Sequence, residues 1–267
     1  MSFVLPTAFY RRTTAGPLSF EPSEATIGPW SAEHQHGGPP IALLAHALRC
    51  HPATTTMELV RLTVEILGPI PVQPCQIEVE VLRPGKRIEL LKATLRSGGK
   101  AVLTAQAWRM ERLPGISPPV PDPYVIPPMT APEATRFFPG ISYFPYVHAL
   151  EWRFEQGAYD ELGPATVWAR LRIPLIEGEP THSVEGLVTM LDSANGVSAE
   201  LDIRQWSFVP VDFNLNLHRM PQGPWFGMQA QSHISEGGIG LTHTIAFDAQ
   251  GPVGRSLHSL FVRPQHR

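Results

Sequence analysis

Apolar residues recur at spacings of three and four over residues 180–196, the pattern of an amphipathic helix. The apolar face comprises Val184, Leu187, Val188 and Leu191 and continues to Asn195. Thr181 is the predicted N-cap, and Asn195-Gly196 is the predicted end of the helix. Asp192 follows Val188 by one turn and lies beside the apolar face. The pattern therefore predicts a carboxyl group held against the core.

Beyond this helix, apolar and polar residues alternate with a period of two. The apolar positions are Val209, Val211, Phe213, Leu215 and Leu217, and the polar positions between them include Asp212, Asn214 and Asn216. Such alternation predicts a strand with one buried face. A buried carboxylate on a helix, followed by a strand with polar side chains, is a combination that can form a hydrolytic site.

The first half of the chain shows the same order of elements. His36, Gly37 and Gly38 precede two prolines, which are favoured in the first turn of a helix. Ile41, Leu44, Ala45 and Leu48 then form an apolar stripe. Strands are predicted over residues 58–67, 75–82, 87–95 and 100–110, separated by turn signals such as Pro84-Gly85 and Gly98-Gly99. This half reads as one helix and an antiparallel sheet.

The second half repeats that order, which predicts a duplication. Strands are expected over residues 148–154 and 166–173 before the helix, and over 209–217, 225–234, 239–247 and 254–262 after it. Residues 114–139 contain nine prolines and are expected to form an extended linker. We therefore divide the chain into an N-terminal unit (1–112), a proline-rich linker (113–140) and a C-terminal unit (141–267).

Composition and charge exclude several classes of protein. With 267 residues, 43% hydrophobic residues and 17% charged residues, the chain suits a globular protein with a substantial core. A formal net charge of −3 predicts neither nucleic acid nor an anionic membrane as a partner. Cys50 and Cys75 are too few for a disulfide framework, and no signal peptide or membrane span is predicted. We therefore expect a cytoplasmic protein with free thiols.

Motifs narrow the chemistry further. The sequence has no G-x-S-x-G nucleophile elbow, no phosphate-binding loop and no G-x-G-x-x-G after a strand. The histidines at positions 34, 36, 46 and 51 lack a carboxylate or thiol at a recognised ligand spacing. We accordingly predict no metal site and no cofactor.

The chain resembles the acyl-CoA thioesterase II-like, double-hotdog thioesterases. The resemblance is carried by HGGPPIALLAHAL in the first half and by LDSANG, VDFNLNLHRMPQGPW and FDAQGPVGRSLHSLFVR in the second. It implies an α+β fold in which each of two repeats packs a long helix on an antiparallel sheet. It also implies a hydrolase of lipid metabolism that cleaves an acyl-CoA with a directly attacking water and no covalent intermediate.

In that family an Asp, a hydroxyl residue and a Gln hold the water. Asp192 matches the Asp, whereas Pro210 stands where the hydroxyl residue is expected and His258 where the Gln is expected. We predict Asp192, His258 and Asn214 as catalytic residues, with Asn214 supplying the missing polar contact. A hotdog hydratase would carry a His five residues after the Asp, and here Val197 occupies that position.

The predicted substrate-binding residues are His36, Gly37 and Gly38, because amides at a helix start can stabilise an oxyanion. Purely structural interpretations stay open. The two glycines can serve only to let helix and sheet pack closely, and a structural role for His258 in the sheet is as well supported as a catalytic one. The alternative function is non-catalytic binding of an acyl thioester. The oligomeric state is open, a homo-oligomer included.

The duplication predicts two grooves that are not equivalent. Aligning His36 with His182 places His46 opposite Asp192, and Thr104 stands roughly opposite His258. Only one groove then keeps a carboxylate, so we predict one working site per chain. At its ordinary pKa of about 6.5, His46 would be mostly uncharged near neutral pH.

Overall fold

The computed structural model of the protein describes residues 4–138 and 144–265. The first half contains β1 (Tyr10–Arg12), β2 (Ser19–Pro22), a 3-10 turn (Glu24–Thr26), α1 (Gly38–Arg49), β3 (Met57–Ile66), β4 (Cys75–Arg83), β5 (Ile88–Ser97) and β6 (Lys100–Glu111). The second half contains α2 (Pro145–His148), β7 (Leu150–Gln156), β8 (Ala165–Leu171), α3 (Ser183–Leu191), α4 (Ala194–Val197), β9 (Trp206–Pro210), β10 (Asp212–Leu217), β11 (Phe226–Ile234), β12 (Ile239–Asp248) and β13 (Gly251–Pro264). The predicted strands are thus present, with ends shifted by a few residues.

The strands form one antiparallel sheet that runs through both halves. Their order is β1-β2-β4-β5-β6-β3-β10-β13-β12-β11-β8-β7, and β9 pairs with β13. β3 and β10 meet in the middle, where Thr63 pairs with Asn214. Outward from this junction, each half contributes its strands in the same order. Aligning Val60–Val64 with Val211–Leu215 in the sequence also equates Thr63 with Asn214.

The helices α1 and α3 pack against each other on the inner face of the sheet. Ile41, Leu44, Leu48, Leu187 and Leu191 are fully buried, as their spacing predicts. Gly38 allows the close approach of the helices, because a Cβ atom there would overlap the carbonyl oxygen of Thr189. The start of α1 is thereby held against the last turn of α3.

The helix predicted over 180–196 is shorter and is interrupted, so both of its predicted ends are wrong. His182 is the N-cap of α3, and its side chain and that of Glu185 form a reciprocal capping box. The Thr181 hydroxyl instead accepts a hydrogen bond from the amide of Leu175. The α3 helix ends at Leu191, with Asp192 as its C-cap, and Asn195-Gly196 lies inside the short α4 helix rather than terminating a helix.

The strand predicted over 209–217 is also divided. Val211 separates β9 from β10: its amide donates to Ser259 and its carbonyl accepts from Ile66. This division places Val209, Pro210 and Val211 beside the junction of the two halves, next to the segment that follows β3.

Residues 113–138 form neither helix nor strand, as the proline content predicts. This segment contacts the second half of the sheet, where Asp122 forms an ion pair with Arg255 at 2.7 Å and the Tyr124 ring lies 5.8 Å from that of Phe247. The unit boundaries at 112 and 141 stay a prediction. Among the described residues, no helix is long and apolar enough to cross a membrane.

Candidate functional site

A cavity of about 350 Å³ opens where the start of α1 meets the end of α3. Its walls are mostly apolar and come from the segments 66–70 and 209–211 and from Trp30. Its polar lining comes from His34, Gln35, His36, Gly37, Asp192 and Asn195. The structure therefore brings three of the predicted site residues to one apolar cavity.

Asp192 carries the carboxyl group of this site and is only 4% exposed. Its Oδ2 atom lies 3.1 Å from Nδ1 of His36. Its Oδ1 atom is buried and has no hydrogen-bond partner among the described residues. One carboxyl oxygen is thus held by the protein while the other is left for a ligand or water.

Burial sets the protonation of this pair. Desolvation raises the pKa of Asp192 to about 8, although a hydrogen bond from the Gly38 amide acts in the opposite direction. Desolvation lowers the pKa of His36 to about 3, with a smaller contribution from nearby His258. At neutral pH the proton therefore resides mainly on Asp192, and His36 is neutral.

The His36 ring is fixed from two sides. It stacks on Tyr146 with ring centroids 3.7 Å apart, and its Nδ1 atom accepts a hydrogen bond from the Gly38 amide at 3.1 Å. The Tyr146 hydroxyl donates to the Thr189 carbonyl at 2.6 Å. Tyr146 was missed in the sequence, because no local pattern links it to a histidine more than a hundred residues earlier.

Gly37 and Gly38 are required for this approach. A Cβ atom on Gly37 would lie 2.8 Å from Oδ2 of Asp192. The close-packing interpretation of both glycines therefore has a direct geometric basis. Pro39 and Pro40 contribute no amide, so the donors at the helix start are limited to the residues before them.

His258 is not among the residues that line the cavity. It is 1% exposed, packs against the ring of Phe213 at 5.3 Å, and neither ring nitrogen has a hydrogen-bond partner among the described residues. Burial lowers its pKa to about 4, so the ring is neutral. As a neutral imidazole it can donate and accept a hydrogen bond without acting as a cation.

Asn214 does not belong to this cluster, which corrects the prediction that it replaces the missing polar contact. It pairs with Leu257 on β13, and that register puts it on the face of the sheet opposite Phe213 and His258. Its amide donates to Asp212 at 2.9 Å on that outer face. Asn195 is the amide that does line the cavity, and its nitrogen donates to the Phe208 carbonyl at 3.0 Å.

His46, the residue aligned with Asp192, belongs to a network of charges. His46 Nδ1 lies 2.9 Å from Oε1 of Glu185, and Arg49 donates to the same oxygen. Although burial favours the neutral ring, hydrogen bonds with Cys50 and Glu185 raise the pKa of His46 to about 9. The condition of an ordinary pKa, under which His46 would be mostly uncharged near neutral pH, is therefore not met.

The counterpart of His258 also differs from the sequence expectation. Thr63 pairs with Gln106, and its equivalent Asn214 pairs with Leu257. One residue further along each strand, His258 therefore corresponds to Ala107 rather than Thr104. Among the described residues, no group of three or more His, Cys, Asp or Glu side chains is arranged to hold a metal ion.

Comparisons with known proteins agree with this architecture. The model of the acyl-CoA thioesterase N-terminal domain matches residues 26–110, and that of the acyl-CoA thioesterase C-terminal domain matches residues 123–262. No curated protein matches the chain.

Solved structures share the fold at low sequence identity. A proposed thioesterase II from Thermobifida fusca YX has a TM-score of 0.72 at 15% identity, with 97% of this chain and 96% of that chain covered. The acyl-CoA thioesterase II TesB2 from Mycobacterium marinum has a TM-score of 0.66 at 17% identity, with 95% and 94% covered. A protein with a hot dog fold from Alicyclobacillus acidocaldarius has a TM-score of 0.71 at 19% identity, with 94% of both chains covered.

The hotdog fold is thus supported by the antiparallel sheet and by these neighbours. The C-terminal family model alone spans more than half of the chain, and the N-terminal model covers most of the remainder. The chain therefore belongs to the acyl-CoA thioesterase family.

Proposed function

We propose that this protein hydrolyses an acyl-CoA to the free acid and CoA, using a water molecule activated by Asp192. The observation that carries the proposal is the free Oδ1 atom of Asp192, buried at the end of an apolar cavity. A carboxylate in this position can accept a proton from water, while the apolar walls suit an acyl group.

The reaction needs Asp192 in its ionised form. The water oxygen bonds to the thioester carbonyl carbon as one water proton passes to the carboxylate. The carbon–sulfur bond then breaks, and the departing thiolate takes up a proton. His36, fixed by Tyr146, keeps the carboxyl group oriented through Oδ2, so that Oδ1 faces the water.

The start of α1 favours the negative charge that develops on the carbonyl oxygen. The Gly37 and Gly38 amides lie at the positive end of the α1 dipole, although the Gly38 amide already donates to His36. Gly37 is consequently the amide that we assign to the oxyanion. No side chain is required as a nucleophile, and we propose that no covalent intermediate forms.

We further propose that the chain is a double hotdog with one working site. The strand order is the same outward from the β3–β10 junction in both halves. The groove around His46 lacks a free carboxylate, because Glu185 is held by His46 and Arg49. Asp192 at the other groove is not neutralised by an arginine in this way.

Thiol release from a panel of acyl-CoAs by the purified protein tests the activity. Wild type should release CoA, whereas Asp192→Asn should lower kcat by roughly a hundredfold or more because an amide cannot accept the proton. Asp202→Asn is the matched control, since Asp202 is a carboxylate that pairs with Arg204 and does not line the cavity. Equal turnover by wild type and a folded Asp192→Asn variant would refute the general-base role.

The second candidate is an acyl-thioester-binding protein without catalysis. Pro210 lines the cavity where the resemblance leads one to expect a hydroxyl residue, and the ring nitrogens of His258 contact no partner among the described residues. Tight binding of acyl-CoAs with no CoA release from any of them would favour this candidate over the hydrolase.

A further inference from the structure

Three polar side chains form a continuous buried patch on the inner face of the sheet. Thr244 pairs with Ser256, and the next inward-facing pair joins Thr242 to His258. Thr244, Ser256 and His258 are each at most 2% exposed, whereas the alternate residues His243 and Leu257 face outward. We refer to Thr244, Ser256 and His258 as the polar strip.

The polar atoms of this strip have no partners. Thr244 Oγ1, Ser256 Oγ and both ring nitrogens of His258 are buried without a hydrogen bond among the described residues. Buried polar groups are normally paired with protein or ordered water, so four such atoms together indicate a bound polar molecule.

Neighbouring hydroxyl groups behave differently. Thr242, on the same strand and face, bonds to Ser232 at 2.7 Å, and Ser232 bonds to Ser198 at 2.9 Å. The protein therefore satisfies adjacent hydroxyls with side chains but leaves those of the strip open. The strip thus differs from the adjacent hydroxyls on the same face of the sheet.

The strip leads toward the reaction site. The residue after His258, Ser259, accepts a hydrogen bond from the amide of Val211, and Leu260 pairs with Pro210. Val211 and Pro210 both line the cavity that contains Asp192. Asp192 Oδ1 is itself a buried atom without a partner. Unpartnered polar atoms thus occur both in the cavity, on Asp192, and on the strip.

We propose that Thr244, Ser256 and His258 form an internal water site that supplies and positions the water attacking the thioester. This inference rests on the proposed hydrolysis, which consumes one water per turnover. An acyl group that fills the apolar cavity blocks entry of water from that side. The neutral hydroxyls and imidazole can both donate and accept hydrogen bonds, which suits water better than an ion.

A crystal structure of the full chain at a resolution that reveals water tests the site without reference to activity. We expect water peaks within hydrogen-bond distance of Thr244 Oγ1 and Ser256 Oγ, both alone and with a non-hydrolysable acyl-CoA analogue. A strip without ordered water would overturn the proposal. Because this readout needs no turnover, its failure is distinct from a failure of the proposed hydrolase activity.

Kinetics of a double variant, Thr244→Val with Ser256→Ala, give the second test. We expect kcat to fall about tenfold with little change in KM, the effect of losing one hydrogen bond to the attacking water. Thr242→Val is the matched control, because its hydroxyl has protein partners; it should lower stability and leave kcat unchanged.

Added hydroxylamine distinguishes two explanations of a lower kcat, an impaired supply of water and a general structural defect. This nucleophile attacks the thioester in place of water and forms a hydroxamate, with CoA as the leaving group. In the double variant, the ratio of hydroxamate to free acid should rise, because only the water pathway is impaired. An unchanged ratio would show that the strip is structural and would refute its role in supplying water.

Discussion

Asp192 Oδ2 and His36 Nδ1 lie 3.1 Å apart, and both side chains are almost completely withdrawn from solvent. Burial moves their pKa values in opposite directions, to about 8 for Asp192 and about 3 for His36. The carboxyl group is therefore the proton carrier of the pair near neutral pH. The carboxyl group thus has a higher pKa than the imidazole, the reverse of the usual order for these two side chains. Activity should therefore depend on the ionisation of Asp192.

The first prediction is that kcat/KM increases with pH and levels off above an apparent pKa of about 8. The rise reflects ionisation of Asp192, because only the carboxylate can accept a proton from water. Initial rates with one acyl-CoA between pH 5.5 and 9.5 provide the measurement. A profile that is flat over this range, with substrate stability verified in the absence of enzyme, would contradict the assignment of Asp192.

The second prediction concerns stability. The folded state raises the pKa of Asp192 from 3.8 to about 8, so its contribution to folding is fully present below pH 4 and is lost as the pH rises through 8. The loss is at most about 1.4 kcal/mol for each pH unit. Asp192→Asn avoids this loss, so its free energy of unfolding relative to wild type should improve between pH 5 and pH 9.

Denaturant titrations of both proteins at pH 5, 7 and 9 measure this difference. Asp202→Asn serves as a control without pH dependence in this range, because hydrogen bonds from Arg204 lower the pKa of Asp202 to about 2 and its carboxylate is ionised at all three pH values. If the free energy of unfolding of Asp192→Asn relative to wild type does not increase with pH, ionisation of the Asp192 carboxyl group costs the folded state little free energy, and the prediction is wrong.

Much of this arrangement could be predicted from the sequence, because it depends on patterns that survive without tertiary information. Period-two alternation located the strands, and the spacing of Leu187 and Leu191 placed Asp192 beside the core. The alignment of His36 with His182 identified the helix start and the opposite mid-helix position as corresponding features. These signals predicted that His36, Gly37 and Asp192 share a site, and all three residues line the cavity.

The remaining features depend on contacts that are remote in sequence. Tyr146 reaches Ser193 and His36 from a separate segment, and no local pattern reveals this contact. The interruption between α3 and α4 at Asp192 and Ser193 carries no glycine or proline signal. Asn214 is instructive because the alternation itself assigned it to the face opposite Phe213. Its amide is polar, but the side chain points away from the inner face of the sheet, so it cannot take part in the site.

The third prediction separates the two adjacent glycines. Gly37→Ala introduces a methyl group 2.8 Å from the Asp192 carboxyl group, so kcat should fall at least tenfold as the carboxyl is displaced. Gly38→Ala would overlap the Thr189 backbone, so we expect a loss of about 2 kcal/mol or more in stability from the separation of α1 and α3. Thermal unfolding and steady-state kinetics distinguish these effects.

Gly237→Ala is a suitable control for both variants, since its added Cβ would meet only the Ser235 hydroxyl at 3.8 Å. It should preserve kcat and change stability by less than either of the other substitutions. Wild-type kinetics in Gly37→Ala would show that the carboxyl group has more room than its contact with Gly37 indicates.

The last prediction is that His46→Ala leaves turnover intact but lowers stability in a pH-dependent way. His46 does not line the cavity of Asp192, and the carboxylate beside it, Glu185, is also held by Arg49, so activity should remain near that of wild type. Its pKa is raised from 6.5 to about 9 by its hydrogen bonds, despite burial. The stabilisation from the His46–Glu185 pair is therefore fully present below pH 6.5 and is lost as the pH rises through 9.

At pH 6 we expect His46→Ala to lose about 2 kcal/mol, because Arg49 still compensates the buried Glu185. The difference from wild type should narrow by pH 9.5. Kinetics at pH 8 and denaturant titrations at pH 6 and 9.5 measure both effects. Titration with a tight, non-hydrolysable acyl-CoA analogue should also give one site per chain. Two equivalent sites, or loss of turnover in folded His46→Ala, would place catalysis in the groove of His46 instead of that of Asp192.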